Sequence, residues 1–242
     1  MTPRVRPIDR NRPAAVKGTP ARGRGARSGR WVPVALVGLS LIPVLAGISR
    51  LVVLAGGPEL LLPADPRSEA SPVPVVLHVV SAIGFAVLGA FQFSAGIRRR
   101  RPRWHRRAGR VLVVLGLVVA FSALWLTLFY PRQENTGDLL YLFRLLAASG
   151  LAASIIIGFA AIRNREIARH RAWMIRAYAL ALGAGTQVFT QGIGEAVLGA
   201  GAIRSDLMLG SAWVINLAVA GWVIRRPAAR RARIRAALAG SP

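Results

Sequence analysis

Six long apolar runs, separated by polar stretches carrying arginine or proline, dominate the chain: 31–54, 75–97, 111–130, 139–162, 172–200 and 207–224. Each lies near or above the ~20 residues that the hydrocarbon core of a bilayer requires of a helix. Runs of that length read as membrane crossings rather than buried core helices. The predicted fold class is therefore all-α, a polytopic membrane protein of six transmembrane helices. The second to fifth form a four-helix core and the first and sixth pack outside it. Pro43 should kink the first crossing, and the fifth run is longer than a bilayer needs, so it should tilt or project. Flanking the membrane domain, 31–224, are an arm over 1–30 of arginine, glycine and proline, too polar to bury and read as disordered, and a basic tail over 225–242 with the composition of an interfacial helix.

Composition supports the bilayer as solvent. The 242 residues are 54% hydrophobic and 17% charged, with mean hydropathy +0.46, which departs from a soluble domain. A net charge of +24 would also suit a nucleic-acid binder, so the placing of the cations has to decide. The arm, the stretch 98–110, the stretch 163–176 and the tail hold nine, eight, five and six Lys/Arg, 28 of 33 in all. By alternation of the crossings these four lie on one side, whereas every acid except Asp9 and Glu166 falls on or toward the other. That is the positive-inside pattern, and it places both termini in the cytoplasm of a bacterial inner-membrane protein. The expected partners are the lipid bilayer and anionic headgroups at the cytoplasmic face, not nucleic acid. The absence of cysteine excludes disulfides, thiolate catalysis and iron–sulfur clusters. No glycine-rich phosphate loop, serine–histidine–aspartate set or HExxH motif supports soluble-enzyme chemistry, and no catalytic residue is assigned.

Candidate chemistry rests on few residues. His78 opens the second crossing, and His105 and His170 open the third and fifth at the opposite end. Helical spacing puts His105, Leu112, Gly116 and Val119 on one face, His78, Ser81, Phe85, Gly89 and Gln92 on another, and His170, Met174 and Ala177 on a third. Small residues keep these faces narrow enough for a neighbouring helix or a flat ligand. Arg144 lies about two turns inside the fourth crossing, and Glu195 lies late in the fifth, where the two could form an interhelical ion pair. Gln187 and Gln191 read as interhelical hydrogen-bonding groups, and Trp31, Trp104 and Trp173 as an aromatic belt.

The runs HVVSAIGFAVLGAFQF, RRRRPRWHRRAGRV and IARHRAWMIRAYAL resemble the bacterial membrane-protein family called domain of unknown function 2306, over about 74–195. More distantly, the helical core is similar to the cytochrome b-561 superfamily, in which four helices hold two b-type haems between histidine pairs. That wider resemblance implies His105 and His170 as axial ligands of haem iron, with Arg106, Arg110, Arg171 or Arg176 pairing the propionates of a haem b. His78 would belong to a second pair, but the fourth crossing carries Arg144 where a histidine is needed, so at most one haem is implied.

Three functional readings follow. The leading one is a multi-pass membrane protein without catalysis of its own, acting as a structural, sensory or partner-binding unit. The second is a haem-dependent electron-transfer protein using His105 and His170. The third is a small-solute or proton carrier using Arg144, Glu195 and Gln92.

Overall fold

The computed structural model describes the backbone of residues 24–132, 136–199 and 201–239. Among the described residues there is no strand. The helices are α1 (Arg24–Leu54), α2 (Pro66–Ala70), α3 (Pro72–Gln92), α4 (Ala95–Arg100), α5 (Pro102–Phe129), α6 (Asp138–Arg163), α7 (Ile167–Ala181), α8 (Gly183–Leu198) and α9 (Ala202–Ala239). Residues 1–23 of the expected arm lie outside the described residues, and α1 begins at Arg24, before the expected start at 31. At the other terminus α9 runs from the sixth apolar stretch through to Ala239 without a break.

Five helices are long and apolar enough to cross a membrane, not six: Trp31–Leu54 of α1, then α3, α5, α6, and Ala202–Arg226 of α9. The expected fifth crossing, 172–200, is divided at Leu182 into α7 and α8, of 15 and 16 residues. Either half falls short of the ~20 residues a bilayer core demands. The division has a local cause. Asn216 Nδ2 donates to Ala179 O at 3.1 Å and Trp213 Nε1 donates to Leu180 O at 3.2 Å, so side chains of α9 bind the carbonyls just before the break. The Trp213 indole occupies the space where a side chain on residue 183 would stand, and only glycine leaves it free. Thr186 Oγ1 donates to Asn216 Oδ1 at 2.9 Å, which ties α9 to the far side of the break as well.

The arginine-rich stretch 98–110, which precedes the third apolar run, is largely helical. Ser94 caps α4, accepting from Ile97 N, and Pro102 opens α5, where its missing N–H costs nothing. Arg103, His105, Arg106, Arg107 and Arg110 thus stand on the first turns of a helix.

Buried side chains of α3, α5, α6 and α7 make the core, including Phe85, Leu112, Val119, Leu151, Ile155 and Tyr178. Leu36, Val37 and Leu39 of α1 and Trp213 of α9 pack against it. The small residues of the predicted stripes are filled by neighbours. The Tyr178 ring lies over Gly89, Phe85 and Ile155 meet at Gly116, and Met174 covers Gly158. Tyr178 also donates to Ala86 O at 2.7 Å and contacts the rings of Phe85 and Phe93, which pins α7 to α3. Around this core α1 packs on α3, α3 on α5, α5 on α6, and α6 on both α7 and α9; α8 lies between α9 and α1 and closes the ring. Pro43 leaves Leu39 O without its helical donor, and α8 approaches that carbonyl at Gly185, where any side chain would collide.

Candidate functional site

The arginine-rich end contains most of the residues picked out for a haem. His105 stands on the first turn of α5 and His170 on the first turn of α7, and His170, Arg98 and Arg106 are within electrostatic reach of His105. His170 Nδ1 donates to Gly158 O at 2.8 Å, which leaves Nε2 as its free nitrogen. Among the described residues, His105 Nδ1 and Gln92 Nε2 are buried without hydrogen-bond partners. An orphaned imidazole nitrogen is the one feature that favours a ligand there. Tyr178, Phe85, Ile155 and Met174 fill the notches at Gly89, Gly116 and Gly158, whereas Gly109, one turn along α5 from His105, has no neighbour within 4 Å. Arg110 is exposed, and Arg176 stacks on the Trp173 ring at 4.8 Å, so neither is gathered around the two histidines. We therefore assign no haem to this pair.

At the opposite end the ring of helices encloses a cavity of about 490 Å³. Its walls are mostly aliphatic, from Val44, Val79, Ile83, Leu126, Leu151 and Leu180, and α7–α8 contribute the segment containing their break. Its basic groups come from several elements: His78 from α3, Arg144 from α6, Arg67 from α2 and Arg132 from the segment after α5; Ser40 of α1 and Gln187 of α8 add neutral polar groups. Two of these cations are matched. Asp65 caps α2 and holds Arg67 at 2.9 Å, and the Arg67 guanidinium keeps the Asp65 carboxyl below the usual carboxylate range. Arg132 is paired with Asp138 and lies 4.9 Å from the Tyr141 ring.

Arg144 is different. Its half-buried side chain has no ion pair or hydrogen bond among the described residues. The expected bridge to Glu195 does not form: Glu195 is exposed and accepts from Gln191 Nε2 at 2.9 Å. Gln187 Nε2 donates to Leu209 O at 3.1 Å, an interhelical bond of the kind the sequence suggested. Asp206 lies within electrostatic reach of Arg144 without contacting it. Its two oxygens accept from Gly137 N and Leu140 N, each at 3.1 Å, so this 1% exposed carboxylate caps α6 from α9.

His78 has a defined tautomer. Ser122 Oγ donates its single hydrogen to Val118 O, 2.6 Å away, or to Val119 O at 3.1 Å. It can then only accept from His78 Nδ1, at 3.1 Å. Neutral His78 carries its hydrogen on Nδ1, and the Val119 backbone is a further hydrogen-bond partner of the ring.

Sequence reasoning missed Arg67, Asp206, Trp213 and Asn216. Asp206 was visible as an acid just ahead of an apolar run, and Asn216 as a lone amide within one, but neither pattern says which helix it will bind.

The family comparison agrees with this architecture. The model of the family described as predicted membrane protein (DUF2306) matches residues 75–224, from α3 into α9. No curated protein and no solved structure matches the chain. The wider relation to the cytochrome b-561 superfamily receives no support. A match over more than half of the chain, together with an all-helical fold containing five candidate membrane spans, identifies it as a member of the multi-pass membrane-protein family DUF2306.

Proposed function

We propose that this protein is a membrane-embedded binding unit for a small anionic solute, a sensor or carrier with no bond-making chemistry of its own. The observation that carries this reading is Arg144, a guanidinium within a membrane helix that lines a cavity and has no contacting carboxylate among the described residues. An ionised group at that depth is costly to leave unpaired, and an anionic ligand supplies the missing charge. A helix interrupted beside a cavity is also a recurrent way of building solute sites in membrane bundles. In this reading the arginine-rich end and both termini are cytoplasmic and contact anionic headgroups, and the cavity opens on the other side of the bacterial inner membrane. The α7–α8 pair then serves as a broken crossing.

The test is thermal stabilisation of the purified protein in lipid nanodiscs by hexanoate, hexanesulfonate and inorganic phosphate, with hexylammonium as the opposite-charge control. At least one anion should raise the melting temperature in a concentration-dependent way, and hexylammonium should not. Arg144→Gln should abolish the effect, and Arg144→Lys should keep part of it. Stabilisation unchanged in Arg144→Gln, or absent from the wild type for every anion, overturns the proposal.

A further inference from the structure

We propose that the arginine-rich end holds a phosphate-binding site, in which Gln92 and His105 donate to the oxygens of one phosphate group and Arg98 and Arg106 balance its charge. The site lies at the opposite end of the bundle from the Arg144 cavity and does not depend on the reading given for that cavity.

Two orphaned atoms converge there. Among the described residues, Gln92 Nε2 and His105 Nδ1 are the only buried side-chain nitrogens or oxygens without a hydrogen-bond partner. Buried polar atoms are almost always paired, so each orphan needs an explanation. The packing of α3 on α5 brings the two residues to one place. These helices run antiparallel, with Phe85 against Gly116 and His78 Nδ1 3.1 Å from Ser122 Oγ. Two turns along from Phe85, the same register sets Gln92 opposite residues 108–109, one turn of α5 from His105. Gln92 and His105 stand a heptad from the core residues Phe85 and Leu112, and so on the inward faces of their helices. Space remains beside them, since a side chain at Gly109 would meet nothing within 4 Å.

Charge selects the guest. The ionisable groups that act on His105 are Arg98, His170 and Arg106, all of them basic. Arg98 and Arg106 are exposed and form no ion pair among the described residues. That field opposes a metal cation and favours an anion. Gln92 Nε2 is a donor, and the tautomer of His105 with its hydrogen on Nδ1 is a second, so the guest must accept on more than one atom. A water molecule could pair with the donors but would leave the guanidinium charge uncompensated. The tetrahedral oxygens of a phosphate accept from both donors and keep others for the arginines. The eight arginines within 98–110 also hold this end at headgroup level, where a phosphate is at hand as part of a lipid or in solution.

The experiment is thermal unfolding of delipidated protein in an uncharged detergent, with dioleoylphosphatidylglycerol, dioleoylglycerol or inorganic phosphate added. It is run on the wild type and on Arg144→Gln, so that anions in the cavity are not counted. Phosphatidylglycerol, inorganic phosphate or both should raise the melting temperature of the two proteins alike, and dioleoylglycerol, which has the tails without the phosphate, should not. A response to phosphatidylglycerol alone identifies the guest as a lipid headgroup; a response to inorganic phosphate identifies a dissolved one. Gln92→Met removes the orphaned amide with little change of volume, so without ligand it should melt no lower than the wild type. It should nevertheless weaken binding about tenfold or more, as should His105→Ala. Arg103→Gln, which removes an exposed charge that does not act on His105, should bind within about twofold of the wild type. A response unchanged in Gln92→Met or in His105→Ala, weakened as much in Arg103→Gln, lost in Arg144→Gln, matched by dioleoylglycerol, or absent from the wild type overturns the site.

Discussion

Asp206 gives the most direct test of how α6 and α9 are joined. The carboxylate is 1% exposed and accepts from the buried Leu140 N–H and the part-buried Gly137 N–H. A hydrogen bond to a charged acceptor contributes about 1.5–3 kcal/mol when its donor would otherwise be left buried and unpaired. Taking about 2 kcal/mol at Leu140, and about 1 kcal/mol at Gly137 because water reaches it, Asp206→Ala should cost roughly 3 kcal/mol. Asp206→Asn keeps one acceptor but turns an amide toward the other N–H, and should cost about half as much. The assay is reversible unfolding in mixed micelles of rising denaturing-detergent fraction, followed by circular dichroism. An alanine variant within about 1 kcal/mol of the wild type, or an asparagine variant as damaged as the alanine one, would refute the capping argument.

Other outcomes are equally specific. Gly185→Ala drives a methyl group into Leu39 O, a backbone atom that cannot step aside, and should destabilise by about 1–3 kcal/mol. Gly192→Ala, on the same helix with nothing within 4 Å, should be neutral or gain up to about 1 kcal/mol; detergent denaturation of the two variants side by side checks the contrast. The Arg67 guanidinium holds the Asp65 carboxyl below the usual carboxylate range in the folded protein, so its stabilising share is complete above about pH 4 and falls away as pH drops through the folded value. The melting-temperature gap between wild type and Asp65→Asn should accordingly be widest near neutrality and shrink below about pH 4. Protein purified from cells supplied with haem precursor should show no Soret absorption; a Soret band lost in His105→Ala would instead place a haem on that histidine.

The parts of this architecture legible in the sequence were those that one helix specifies alone. Bilayer-length runs located α1, α3, α5, α6 and α9, and helical spacing marked the buried faces, where Ser81, Phe85, Gly89, Leu112, Gly116 and Val119 are all inside. The failures arise where one helix acts on another. Nothing within 172–200 announces that Trp213 and Asn216, some 30 residues later, will bind its carbonyls and divide it. Arg144 and Glu195 were legible as polar residues at similar depth, but pairing depends on helix rotation, and Glu195 turns to Gln191 on its own helix. The stretch 98–110 was legible as a polar connection with His105 opening the third crossing, but not as two helices; a proline at the first helical position and a capped short helix before it wind its arginines into α4 and α5.

The tie between α9 and the Leu182 break bears on biogenesis. Ribosomes deliver the 172–200 segment to the insertion machinery before Trp213 and Asn216 have been synthesised. Until those two side chains arrive, the carbonyls of Ala179 and Leu180 can be satisfied in lipid only by an unbroken helical ladder. The nascent segment is therefore expected to enter as a continuous helix and to divide only when the final helix docks, so that Trp213→Phe with Asn216→Leu should leave 172–200 less sharply divided.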